Sequence, residues 1–143
     1  MILSSSALEF NDKNRIKMTK LIIDAANEKI FLMLINKDNI YSITHENTKI
    51  NYEKLILLIE GFISSKKINY NDLSEIYINR GPGSFAGIRN SLSIVKAIFL
   101  AKKIDYYCYS LQDFEASENM KYENIPNLCD KYQIKKNLIN PIY

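Results

Sequence analysis

Histidine occurs once in this chain, at His45, and cysteine twice, at Cys108 and Cys129. A single imidazole excludes any metal site or catalytic triad that draws two histidines from one chain. The cysteines stand far apart and lack C-x-x-C spacing, so neither a disulfide framework nor a thiolate zinc site follows. No apolar run nears the ~20 residues of a membrane span. The opening residues, MILSSSALEFNDKNRIKM, lack the basic, apolar, small-residue order of a secretory leader. A cytoplasmic protein with no membrane partner is the expectation. Excess charge of one sign is scarce too. Nineteen basic against 16 acidic residues leave a net +3, too near balance to foretell nucleic-acid binding by itself.

What is present suffices for one globular domain: 143 residues, 47% of them hydrophobic and 24% charged. Folding at this size buries about 68% of the surface that the extended chain exposes. Lysine far outnumbers arginine, and isoleucine, asparagine and tyrosine abound, a bias that AT-rich codons produce.

Residues 1–17 are polar and aperiodic and end in a basic cluster (Lys13, Arg15, Lys17), which reads as a loose arm or a misassigned start before Met18. From Met18 the pattern becomes regular, and a lobe over 18–120 is expected, followed by a polar tail, 121–143, with little regular structure. Apolar, β-branched runs at 21–24, 29–35 and 40–44 predict three strands, with Asn36-Lys37-Asp38-Asn39 as turn chemistry between the last two. The spacing then predicts a helix over 51–65, a strand over 75–79, a helix over 84–103, a strand over 105–109 and a helix over 111–120. The order β-β-β-α-β-α-β-α makes an α/β domain with a mixed sheet and helices packed on it.

Of four glycines in the chain, three fall within seven residues, Gly81, Gly83 and Gly87. Gly81, Pro82, Gly83 and Ser84 predict a tight strand-to-helix corner with Ser84 as N-cap. Such a corner can bind phosphate, but the spacing matches neither G-x-x-x-x-G-K-[ST] nor G-x-G-x-x-G. The full run Arg80-Gly81-Pro82-Gly83-Ser84-Phe85-Ala86-Gly87-Ile88-Arg89, ahead of a helix carrying Lys96, closely resembles the signature R-G-P-G-S-F-T-G-L-R of the TsaB (YeaZ) family. The resemblance covers roughly residues 20–115. It implies a single N-terminal-type lobe of the actin-like, sugar-kinase-like ATPase fold. It also implies a non-catalytic dimerisation subunit of the bacterial machinery that makes threonylcarbamoyladenosine next to the anticodon of tRNA. Such a subunit would bind a TsaD-like paralogue that carries the metal and the transferase activity. A TsaE-like ATPase would be a further partner, tRNA would be touched only indirectly, and a homodimer could form when the subunit is alone. No catalytic residue, cofactor or metal is then expected in this chain.

The chain departs from the family pattern in several places. Family members run longer and carry a second lobe, here almost wholly missing. Asn140-Pro141-Ile142-Tyr143 is similar to the family's P-x-Y near its C-terminus, as an internal deletion would leave it. The family's Asp-Thr is Asp24-Ala25, Ala86 replaces the signature threonine, and Asn51 stands for the usual histidine. Each change removes polar chemistry, in keeping with a scaffold.

Helical projection reaches a similar place from the residues alone. On the helix over 84–103, Phe85, Ile88, Leu92, Val95 and Phe99 share one stripe, while Gly87, Ile94, Ala97 and Ile98 lie opposite. Leu57 and Leu58 fall outside the core stripe of the helix over 51–65. Surplus apolar surface on two helices predicts a dimer interface built from Leu57, Leu58, Phe85, Gly87, Ile88, Leu92, Ile94, Val95, Ala97 and Ile98. The competing reading is a lid, formed by 110–143, over the same surface. The alternative function is a small ATP-binding enzyme of the same fold, with Asp24 holding a metal or water at the strand end. His45 reads as a solvated loop residue, and Tyr106, Tyr107 and Tyr109 as core packing on a strand.

Overall fold

The computed structural model describes residues 18–143, and the expectation for 1–17 lies outside the described residues. The chain runs β1 (Thr19–Asp24), β2 (Lys29–Asn36), β3 (Asn39–Glu46), α1 (Lys49–Glu53), α2 (Leu55–Ser65), β4 (Leu73–Asn79), α3 (Phe85–Lys102), β5 (Asp105–Tyr109) and α4 (Ile125–Lys131). Five strands make one sheet in the order β3-β2-β1-β4-β5. The first three form an antiparallel meander, and β4 and β5 run parallel to β1. This is the mixed sheet that the pattern predicts.

Strand alternation sends Leu21 and Ile23 of β1 to one side and Ile22 to the other, all three fully buried. A strand apolar on both faces needs cover on both. Helices α1 to α3 cover the first face, where Leu55, Ile59, Ile63, Ile88, Leu92 and Val95 pack on Leu21, Ile23, Ile76 and Ile78. The chain after Tyr109 covers the second face, where Phe114, Ile125, Leu128 and Cys129 pack on Ile22, Met33, Tyr77 and Tyr109. The lid reading of 110–143 thus names the right segment and the wrong face.

Three expectations for local structure are corrected. The helix over 51–65 is broken at Lys54 (φ −106°, ψ 21°), which ends α1 and starts α2. The span 111–120 is not a helix. Ser110 and Asp113 close a capping box over a single 3-10 turn, Leu111–Asp113, which ends where Phe114 turns extended (φ −111°, ψ 151°). The tail after Met120 is neither irregular nor loose. A 3-10 turn (Tyr122–Asn124) leads into α4, which has Pro126 in its first turn and buries Ile125, Leu128 and Cys129. Beyond it, Asn137 seals the outer edge of β5, accepting from the Tyr106 N–H at 3.0 Å and donating to the Tyr106 carbonyl at 2.8 Å. Among the described residues no helix is long and apolar enough to cross a membrane.

Candidate functional site

The parallel strands β1 and β4 end side by side, at Asp24 and Asn79, where the glycine corner begins. Ser84 caps α3 as expected, its Oγ accepting from the Gly87 N–H at 3.2 Å and lying 2.9 Å from the Tyr52 hydroxyl. Two glycines answer to specific geometry. Gly81 takes φ 110°, and a Cβ there would overlap the Ile142 carbonyl. Gly87 lies flush on β1's exit, where a Cβ would overlap the Ala25 carbonyl. The Gly81-Pro82 peptide is cis.

Asp24 is 2% exposed, and protein donors fill its carboxylate. Oδ1 accepts from the Ala26 N–H at 3.0 Å. Oδ2 accepts from Asn27 Nδ2 at 3.0 Å, Asn79 Nδ2 at 3.1 Å and the Tyr122 hydroxyl at 2.7 Å. Tyr122 stacks on Phe31 with ring centroids 3.9 Å apart. Its hydroxyl is held above the ordinary tyrosine range by burial first and by the Asp24 charge second. Asn79 turns its other side-chain atom to the corner, Oδ1 accepting from the Gly81 N–H at 2.9 Å. Arg80 points away from solvent, its guanidinium donating to Asp113 at 2.7 Å and to the Asn140 carbonyl at 3.0 Å. The Ile142 N–H returns a bond to the Arg80 carbonyl at 2.7 Å, and Tyr143 packs on Phe85. Sequence reasoning missed Asn27, Asn79, Asp113 and Tyr122. For Asn79 a signal existed, a polar residue ending a parallel strand beside Asp24.

Asp24 is therefore spent on protein donors, while beside it a hollow of about 730 Å³ opens between Asn27, Lys29, Phe31, Ser84 and Tyr122. His45 sits within β3 opposite Ile30, not in a loop. Tyr106 and Tyr109 are fully buried and Tyr107 half-buried, as core packing requires. Among the described residues no group of three His, Cys, Asp or Glu is placed to hold a metal ion.

The ten interface candidates separate into four sets, which corrects the expectation of one shared surface. Gly87, Ile88, Leu92, Val95 and Ile98 are buried in the chain's own core, because the sheet takes the stripe of α3 centred on Leu92. Leu58 is half-buried against that core. Leu57 and Phe85 are exposed, Phe85 with Tyr143 packed on its ring. Ile94 and Ala97 come together with Tyr52 and Ile56 in an apolar groove of about 340 Å³ between the first two helices and α3, rimmed by Glu53, Asn90 and Ser93.

The chain is similar to the tRNA threonylcarbamoyladenosine biosynthesis protein TsaB of Buchnera aphidicola subsp. Schizaphis graminum, with 30% identity over 87 residues. That match takes in 61% of this chain and 41% of the relative. The TsaB of Buchnera aphidicola subsp. Baizongia pistaciae is 25% identical over 88 residues, 62% of this chain and 40% of its own. The chain thus spans about two fifths of the length of the curated relatives it matches. No family model matches it. Among solved structures, YeaZ from Pseudomonas aeruginosa superposes with a TM-score of 0.60 and 20% identity, over 64% of this chain and 43% of that one. A second structure, of a protein with similarity to peptidase YEAZ from the same organism, gives the same values. The fold is accordingly that of one lobe of the actin-like ATPase type.

Proposed function

From the premise that this chain is a relative of the TsaB (YeaZ) family over about three fifths of its length, we propose that it serves tRNA threonylcarbamoyladenosine biosynthesis as a non-catalytic binding subunit. Its mate is a TsaD-like paralogue that carries the transfer chemistry. The observation that carries this reading is the saturated Asp24: the carboxylate that ends β1 is given to four protein donors. With that carboxylate used up internally, the chain contributes by what it binds. The Tyr52–Ile56–Ile94–Ala97 groove supplies the apolar surface for that contact, and desolvating it favours association by ~25 cal/mol per Å² before association costs.

Co-purification of the full chain with the TsaD-like paralogue from the same genome tests the reading. The wild type should be retained, and Ile94→Asp combined with Ala97→Glu should abolish retention while the circular-dichroism spectrum stays native. In a strain lacking the gene, threonylcarbamoyladenosine in bulk tRNA should fall and return with the wild type only. A wild type that ignores the paralogue, or a groove variant that binds it as well as the wild type, overturns the proposal.

A further inference from the structure

Left-handed backbone is costly for any residue with a side chain, by roughly 1 kcal/mol, and is normally given to glycine or asparagine. Among the described residues five non-glycine positions adopt it, and three are lysines: Lys37 (φ 56°), Lys67 (φ 57°) and Lys103 (φ 59°). Codon bias does not account for the choice, since AT-rich codons supply asparagine as readily, and asparagine suits this backbone better.

The topology gathers all three lysines at one pole of the molecule. Thr19, where β1 begins, pairs with Asn36 at the end of β2, so the turn carrying Lys37 lies there. Helices α2 and α3 each feed a strand parallel to β1, so both end at that pole. Each ends in the same run, Lys66-Lys67-Ile68 and Lys102-Lys103-Ile104. In both, the second lysine turns left-handed and the isoleucine is buried. Lys37, Lys66 and Lys67 line a hollow of about 620 Å³ with Asn36, Asn39, Asp72, Met18 and Ile68. Lys66 lies 5.0 Å from the Tyr41 ring centre and Lys103 5.9 Å from that of Phe99.

None of Lys37, Lys66, Lys67, Lys102 and Lys103 forms an ion pair among the described residues. Asp72 is drawn into a capping box with Asn69. Asp105 faces Lys136 at 3.7 Å and accepts from Asn137. Asp38 stands exposed beside Lys37 on the turn, and Glu75, at the start of β4, accepts from the Ser74 hydroxyl. Helix macrodipoles favour lysine at a helix end, but that accounts for Lys66 and Lys102 without requiring a lysine in the strained position that follows.

We propose that this lysine pole binds the phosphodiester backbone of RNA, giving the subunit a direct hold on tRNA rather than the indirect contact expected from sequence. The choice of RNA over another polyanion rests on the tRNA-modification reading above. The ammonium groups supply point charges for successive phosphates, and the Asn36 and Asn39 amides supply donors beside them.

Binding of an unmodified tRNA transcript to the full chain, followed by fluorescence anisotropy against salt, tests it. The triple variant Lys37→Asn, Lys67→Asn, Lys103→Asn removes three charges while easing the backbone, so the fold is retained. It should weaken binding at least about tenfold at low salt and lower the slope of log K against log salt by about 3. The variant Lys29→Asn, Lys49→Asn, Lys121→Asn, equal in charge but changed at the opposite pole, should bind nearly as the wild type. Equal losses in both variants, no loss in the first, or displacement of the RNA by millimolar inorganic phosphate would each overturn the inference. So would binding to phosphatidylserine vesicles without binding to tRNA. Retention of the paralogue by the pole variant separates this inference from the proposed function. Failure of RNA binding with the paralogue still held sinks only the pole, and loss of the paralogue with RNA binding intact sinks only the subunit reading.

Discussion

Asp24 shows what a residue's neighbours in space add to its neighbours in sequence. Its position at the end of an apolar, β-branched run made it legible as a strand-terminal acid. Nothing local announced Tyr122, 98 residues onward, whose hydroxyl completes the carboxylate's shell. A buried carboxylate needs every donor it has, because an unmet one leaves charge without solvation. Tyr122→Phe keeps the stack on Phe31 and deletes only the hydroxyl. It should lower unfolding stability by about 2 kcal/mol in urea titration, the loss expected for a hydrogen bond to a charged group. A change near zero would mean that water replaces the hydroxyl at no cost. The glycine corner was legible as a tight turn capped by Ser84, because crowded glycines beside a proline and a capping serine leave the backbone few other conformations, but its cis Gly81-Pro82 peptide was not. Which carbonyls press on those glycines, Ala25 and Ile142, depends on tertiary contacts.

At the scale of elements, the amphipathic stripe of α3 was readable but its polarity was not. The helix carries apolar residues on both sides, and 3.6-residue periodicity alone does not say which side meets the sheet. The sheet takes Ile88, Leu92 and Val95, with the small Gly87 and Ser91 fitted among them. Leu92, 4% exposed, and Ile94, on the groove, are therefore different kinds of position. Leu92→Asp buries an unpaired charge and should unfold the chain, seen as loss of the cooperative thermal transition. Ile94→Asp should keep that transition within a few degrees. The reverse outcome would place the core stripe on the wrong side of α3. The C-terminal elements went unread for another reason. Ser110 and Asp113 form the capping box of a helix start, yet the chain turns extended at Phe114 after one turn. Helix α4 has only seven residues, too short for periodicity to declare itself, although Pro126 in its first turn and the spacing of Ile125, Leu128 and Cys129 were both available.

Across the whole molecule, one sheet buries apolar residues on both faces, and each face receives one of the two thiols. Cys108 packs with the helices and Cys129 with the C-terminal layer, and both are free and 2% exposed. Burial pushes each thiol from 9.0 up to about 12, against the slight opposing pull of Arg80 on Cys108 and with the added push of Asp113 on Cys129. A group whose folded pKa is raised holds its proton longer in the folded state, so it stabilises the fold fully below its unfolded pKa. That contribution is lost as pH climbs from about 9 toward about 12. Tyr77, Tyr109 and Tyr122, also raised chiefly by burial, act with the same sign from 10.0 upward. The burial of these groups should therefore make stability fall steadily above pH 9, as urea titration across that range would show. Because the thiols lie on opposite faces, neither becomes reactive unless its own layer opens. A disulfide-exchange reagent at pH 8 should modify both cysteines slowly, with one shared rate if the layers separate together. Two distinct rates, with Cys129 leading, would show instead that the C-terminal layer lifts off while the helical face stays closed.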